Sequence, residues 1–353
     1  MKISIGMNLQ SGPWGGGNQF GQALVDYLQR QKVDVTFDLR NPNLDLILLA
    51  EPRVNLKISA YADKEIIRYL LLRNRQAIVV HRINECDERK GTQHVNHILI
   101  KANQCADHTV FVSTWLKTLF FQHGLPSYKS HGVIINGSDK TIFNPIGYHA
   151  WDRKTSIKLV THHWGGSWLK GFDIYERLDQ LLATEPYKHT ISFTYIGNLP
   201  KGFRFHNSTY IEPKSGHELA NAIRQNHVYL TASQNEPGGN HQNEGALCGL
   251  PLLYRESGCM PEYCHGFGIS FNPDNFEQKL NEMMTTYPQW VKKMLDYPNT
   301  AEQTCTNYYT MFTELLDKRE SLLKQRDWMQ SHKTILRAFI PNRLGKLWQR
   351  ITK

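Results

Sequence analysis

The sequence predicts an α/β protein built as two domains with a cleft between them, and three observations carry that prediction. Short apolar runs alternate with helical stretches along most of the 353 residues. The alternation pauses once, in a Pro- and Gly-containing loop over residues 144–151, and then resumes. At 40% hydrophobic content the chain holds enough apolar material for two cores of ordinary domain size.

In the first half, KISIGMNL, LDLILLA, QAIVVH, HTVFVS and GVIIN are runs of strand length that suit a parallel sheet buried on both faces. Helices are predicted between them over 19–31, 63–73, 95–105 and 114–123. The second series is IKLVTHHW, ISFTYIG, TYIE, HVYLTAS and LPLLY. These runs divide the chain into a first domain over 1–150, a second over 151–303 and a helical C-terminal segment over 304–353. In sheets of this kind ligands gather beyond the strand C-termini, which here face the cleft.

Composition narrows the class. No apolar run reaches the roughly 18 residues of a membrane span. The N-terminus, MKISIGMNLQSG, lacks a signal-length apolar stretch and reads as a first strand, so a cytoplasmic enzyme is expected. Six cysteines are scattered without CxxC pairs, which fits reduced thiols better than a disulfide framework or a zinc site. Formal net charge is +9, and nucleic acid is disfavoured as the partner because no recognisable motif or aromatic ladder accompanies it.

The densest chemistry lies in TASQNEPGGNHQNEGALCGLPLLY, residues 231–254. A buried strand ends in a loop, and a helix over 240–248 is stopped by Gly249 and Pro251. Gly238 and Gly239 let backbone N–H groups approach an anion, and the helix start at Asn240 adds roughly half a positive charge. A diphosphate suits that spot, with Glu236 on the loop reaching a sugar hydroxyl and Glu244 gripping a ribose diol. The same spacing also describes an acidic first turn that only caps its own helix. A second glycine segment, SGPWGGGNQFG, follows the first strand, and Gly16 and Gly17 precede a helix there. It is a poor dinucleotide fingerprint, since GxGxxG is not met. In VVHRINECDERKG, residues 79–91, His81 leaves the end of a predicted strand, where an active-site residue would stand.

The form SQNEPGGNHQNEGALCGLP, with its Glu-x7-Glu spacing, resembles the donor motif of retaining GT-B glycosyltransferases, family 4 in particular. VFVSTWLKTLFFQHG with VIINGSDKTIFNP, and LKGFDIYERLDQLL, resemble other segments of that family in the same order. The resemblance spans most of residues 1–290 and implies the GT-B fold, two Rossmann-like domains, the first on the acceptor side and the second on the nucleotide-sugar side.

It implies transfer of a sugar from a nucleoside diphosphate sugar to a glycan, lipid-linked or other hydroxyl acceptor. Anomeric configuration is retained and the leaving diphosphate takes the acceptor proton. No cofactor and no obligatory metal are implied. Glu236 and His81 then hold the transferred sugar, Asp87 or Glu88 orients the acceptor hydroxyl, and Arg89 and Lys90 are placed to meet an anionic acceptor. Lys170, Gly16, Gly17, Gly238, Gly239 and Asn240 meet the diphosphate, and Glu244 the ribose. The family's phosphate-binding arginine is missing, because Gly165 stands at that position. His163 and Arg204 are the substitutes considered for its charge. His162 and His163 are not read as a metal pair, since adjacent strand residues face opposite ways and no neighbouring carboxylate accompanies them. A sugar-nucleotide epimerase of the same fold and a non-catalytic sugar-nucleotide-binding protein are the alternatives. The sequence names neither base, sugar nor acceptor.

Residues 331–353 carry Lys333, Arg337, Arg343, Lys346, Arg350 and Lys353 without an acidic residue, interleaved with Ile335, Leu336, Phe339 and Trp348. Two expectations stand for this tail: peripheral contact with an anionic membrane, or packing back onto the first domain. The resemblance implies a cross-back helix too, either this tail or the earlier stretch over 304–329.

Overall fold

The computed structural model describes residues 1–10, 15–54 and 56–340. The first sheet takes β1 (Lys2–Ile5), β2 (Asp34–Thr36), β3 (Leu46–Leu49), β4 (Ile78–Ile83), β5 (His108–Phe111) and β6 (His131–Val133) in the order β2-β1-β3-β4-β5-β6. Every pairing is parallel. Between the strands run α1 (Gly16–Arg30), α2 (Asp63–Leu72), α3 (Asp87–Lys90), α4 (Val95–Asn103) and α5 (Thr114–Gln122).

The second sheet takes β7 (Ile157–His163), β8 (Ile191–Gly197), β9 (Thr209–Ile211), β10 (Val228–Thr231), β11 (Leu252–Arg255) and β12 (Gly268–Phe271) in the order β12-β11-β10-β7-β8-β9. It too is parallel throughout. Its helices are α6 (Phe172–Leu181), α7 (Tyr187–Thr190), α8 (Gly216–Arg224), α9 (His241–Leu247), α10 (Met260–Cys264) and α11 (Phe276–Lys293). Strand order reverses between β7 and β10, the place where a doubly wound sheet opens a ligand crevice.

Each sheet is buried on both faces, as its continuous apolar runs require. Ile3, Ile5, Leu46, Leu48, Ile78 and Val80 are fully buried in the first sheet, and Leu159, Phe193, Leu230 and Leu253 are buried in the second. Three helices follow the second sheet: α12 (Ala301–Asp317), α13 (Arg319–Lys324) and α14 (His332–Phe339). The first of these returns to the N-terminal core, where Cys305, Tyr308, Phe312 and Leu315 join Leu24 and Leu28 of α1. The Tyr308 ring lies 5.0 Å from Phe20. Expected as a cross-back helix, this segment does cross back.

The tail continues over the same domain. Buried Arg326 forks onto Asp107, 2.6 Å from each carboxylate oxygen. Helix α14 lies on α2, with Arg337 paired to Asp63 at 2.5 Å and Arg68 donating to the Ala338 carbonyl at 2.9 Å. Packing onto the first domain is therefore the outcome for residues 332–339, while Arg343, Lys346, Trp348, Arg350 and Lys353 lie outside the described residues. All six cysteines are free and buried. Among the described residues no helix is long and apolar enough to cross a membrane.

Candidate active site in the cleft

A polar cavity of about 250 Å³ lies between the two sheets. Both domains line it: Gly15, Gly16 and Gly17 at the start of α1, Arg82, Asn84, Glu85 and Arg89 from β4 and the segment after it, His162 and His163 at the end of β7, Lys170, and the loop from Glu236 into α9. The domains also touch directly beside it. Ser113 Oγ donates to the Pro237 carbonyl at 2.7 Å, and Tyr263 OH donates to the Val112 carbonyl at 2.6 Å. Asn136 Nδ2 donates to the Gly238 carbonyl at 2.8 Å. A Cβ at Gly238 would sit 2.5 Å from Val112 Cγ2, so only glycine lets the loop come this close to the first domain.

Glu236 is the centre of the cavity's charge. Its carboxylate meets Lys170 Nζ at 3.0 Å from its own domain and Arg89 Nε at 3.1 Å from the other. Burial pushes its acidity toward the neutral form, yet Lys170 and Arg89 outweigh that and hold the carboxyl well below its ordinary range. Lys170 is itself pushed down by burial despite the neighbouring carboxylate. It ends a 3-10 turn over Trp168–Lys170, and Gly171 then turns the chain at φ 101° into α6.

Glu244 faces the cavity from α9 and is fixed from behind. His162 Nε2 lies 2.6 Å from its Oε2, and His162 Nδ1 is 2.9 Å from the Tyr229 hydroxyl. The prediction that no carboxylate accompanies the histidine pair is thus corrected, because α9 folds back over β7 and delivers Glu244 from far along the chain. Among the described residues no group of three or more His, Cys, Asp and Glu is placed to hold a metal ion.

His163 lines the cavity with its ring on the Tyr175 hydroxyl at 2.8 Å and close to His241, ring centres 4.6 Å apart. Burial first, then the neighbouring His241 and Lys170, push its basicity well below the ordinary imidazole value. It is therefore a neutral ring, not the cation considered in place of the missing arginine. Arg204 does not line the cavity. His241, which the sequence reading passed over, is also held neutral by burial and accepts or donates to Thr231 Oγ1 at 2.7 Å.

Gly16, Gly17, Lys170, Gly238, Gly239, Asn240, Glu236 and Glu244 all come together here from segments far apart in sequence. Gly16 passes so near Asn240 that an added Cβ would lie 3.1 Å from its Nδ2. Asn240 Oδ1 is buried without a protein partner.

Two expected residues are elsewhere. His81 is fully buried inside the first domain, bonded through Nδ1 to Asn103 Nδ2 at 3.1 Å, and burial lowers it to about 3. Its neighbour Arg82 lines the cavity instead, because successive strand residues face opposite ways. Asp87 does not line the cavity either. It accepts from the backbone N–H groups of His94, Val95 and Asn96 at 2.9, 2.8 and 2.9 Å and so caps the start of α4. The charged loop expected there forms the one-turn helix α3, which carries Arg89 rather than Asp87 to the cavity.

No family model and no curated protein matches the sequence. Solved structures do match the fold. The chain is similar to HepE from Anabaena in complex with UDP and glucose, at a TM-score of 0.59 and 15% identity over 91% of this chain and 100% of that one. A glycosyltransferase from Rickettsia africae gives 0.57 and 15%, over 92% of this chain and 98% of that one. The E. coli trehalose-6-phosphate structure bound with UDP-2-fluoro glucose gives 0.61 at 9% identity, over 88% and 99%. The chain has the GT-B fold: two Rossmann-like domains with a cleft between them.

Proposed function

We propose that this protein is a retaining glycosyltransferase that moves a sugar from a nucleoside diphosphate sugar to a hydroxyl acceptor. Residues 1–150 form the acceptor side, residues 151–303 the donor side, and 304–353 the C-terminal segment, whose described part packs on the first domain. One observation carries the reading: Glu236 and Glu244, the two carboxylates of a Glu-x7-Glu motif, face one cavity with glycine segments from both domains and Lys170. Similar folds that hold UDP and glucose support it.

In this reading the ribose hydroxyls meet Glu244, which His162 holds in place, and the diphosphate lies against Gly238, Gly239 and Gly16. Lys170 stabilises the charge that grows on the leaving diphosphate. Glu236 accepts from hydroxyls of the transferred sugar, and the leaving phosphate takes the proton of the acceptor hydroxyl as the new glycosidic bond forms. No residue of the first domain is assigned as a base, since Asp87 is committed to α4. The acceptor is lipid-linked or otherwise close to a membrane, a reading supported by the basic run from Lys333 to Lys353 and by Leu336 and Phe339, which α14 leaves 65% and 48% exposed.

Nucleotide release from UDP-, GDP- and ADP-sugars, with and without glycan and lipid-linked acceptors, tests the activity. Turnover that depends on acceptor is expected, with product anomers matching the donor by proton NMR. A donor-derived nucleoside diphosphate at about 100 times its Kd should add about 2.7 kcal/mol of stability. Neither release nor stabilisation with any of the three bases would defeat the reading.

A further inference from the structure

Arg82 is 2% exposed, lines the cavity, and has no ion-pair partner among the described residues. Its Nε is buried without any acceptor, Nη2 donates to Asn136 Oδ1 at 2.9 Å, and the neutral Tyr308 hydroxyl lies beside the guanidinium, so no anion meets its charge. A buried cation left without an anion is costly, and such a group persists where a ligand brings the missing charge. We propose that Arg82 binds the diphosphate of the donor, so that the phosphates are gripped from the first domain as well as the second. This inference rests on the nucleotide-sugar reading of the same cavity.

The position of the guanidinium selects the diphosphate. Asn136, which receives Arg82, donates its own amide to the Gly238 carbonyl at 2.8 Å, so the guanidinium stands one side chain away from the second domain's glycine loop. On its other side the guanidinium carbon lies 3.9 Å from the centre of the Phe20 ring. Phe20 belongs to α1, a 15-residue helix whose first residue, Gly16, lines the cavity. Among the described residues that helix start has no side-chain cap, and its first turn holds no acidic residue. Arg82 therefore stands between the open N-terminus of α1 and the Gly238 loop, and the stacking on Phe20 fixes the plane of its fork.

The cavity's other cations are already occupied. Lys170 and Arg89 both pair with Glu236, and Lys214 pairs with Glu218 at 3.7 Å. An entering diphosphate brings more negative charge than the shared Lys170 can neutralise alone, and the planar guanidinium offers the paired N–H geometry that phosphate oxygens accept.

The test uses the full chain with Arg82→Met and Arg82→Lys, probed with UDP, GDP, ADP, their nucleosides and inorganic pyrophosphate. Calorimetry should show that Arg82→Met weakens the bound nucleoside diphosphate and pyrophosphate at least about tenfold, the loss of one charge-assisted hydrogen-bond donor, while nucleoside affinity stays within about twofold. Ligand-free Arg82→Met should melt at or above the wild-type temperature, because the unpaired charge is gone. Arg82→Lys, which keeps the charge without the fork, should bind between the two. Diphosphate binding unchanged in Arg82→Met would overturn the inference and leave the glycosyltransferase reading intact. So would equal loss of nucleoside and diphosphate together with a lowered ligand-free melting temperature, which marks a purely structural arginine. If wild-type protein binds none of the three nucleoside diphosphates, the donor reading fails first and this inference with it.

Discussion

Glu236 and Glu244 present the same functional group to the cavity under opposite electrical conditions. Two cations from different domains share Glu236, whereas Glu244 has a single histidine behind it. The pairing assigns them different work. Glu244→Ala should raise the donor KM by about tenfold or more with little change in kcat, the mark of lost ground-state binding. Glu236→Ala should chiefly lower kcat. Steady-state kinetics with varied donor distinguishes the two, and equal effects would sink the assignment. Glu236→Ala also leaves Lys170 and Arg89 buried without their carboxylate. Chemical denaturation without ligand should show a loss of about 3 kcal/mol, the range for breaking a buried ion pair on one side.

At the scale of elements, the turn before α6 and the last described helix carry the sharpest expectations. Gly171 turns the chain at φ 101°, and a Cβ there would lie 2.4 Å from the Cβ of Ala232 and 2.5 Å from its carbonyl. Gly171→Ala should therefore cost at least about 2 kcal/mol and displace Lys170 with it. A fall in melting temperature together with a weaker diphosphate-induced shift checks this. Helix α14 makes two uses of one sequence. Ala338 and Arg337 face α2, while Leu336 and Phe339 stay in solvent. Leu336→Ser with Phe339→Ser should leave the melting temperature within about 1 °C, because exposed positions rarely change stability. It should still weaken sedimentation with anionic vesicles. Deleting residues 331–353 should lower both, and unchanged vesicle binding in either form would remove membrane contact from the account.

The whole molecule buries several histidines as neutral rings. Burial lowers His81 to about 3 and His108 and His227 to about 4, and it pushes His163 and His241 well below their ordinary value. These folded-state values lie under the unfolded value of 6.5, so as pH falls below 6.5 the unfolded chain binds protons that the folded chain refuses. Stability is expected to be full above that pH and to drop below it, by at most about 1.4 kcal/mol per pH unit for each ring. Glu236 works in a separate window: its carboxyl, held below the ordinary range by Lys170 and Arg89, contributes stability above 4.5, lost as pH falls further. Urea denaturation between pH 6.5 and 4.5 isolates the histidines. His81→Gln should flatten the slope by about one proton, and an unchanged slope would mean that His81 is not the neutral group described.

Much of the architecture was written locally. Apolar runs such as LDLILLA and QAIVVH can be satisfied only by strands covered on both faces, and they became β3 and β4 of a parallel sheet. The pause at 144–151 separates the two series, and TASQNEPGGNHQNEGALCG reads directly as strand, glycine break and helix. Strand β12 was not read, since GFGISF is short and broken by glycine. What only the tertiary structure decided is which side of a strand, and which partner, each polar group met. His81 and Arg82 are adjacent in sequence, and strand parity alone could not say which of them would face the cleft. Asp87 was drawn away by three backbone N–H groups at the start of α4, whose need for an acceptor is stronger than any pull from an open cavity. Glu244 met His162, and Glu236 met Arg89 across the domain gap, because folding a distant chain segment onto the cleft sets those distances, and sequence spacing carries no record of them.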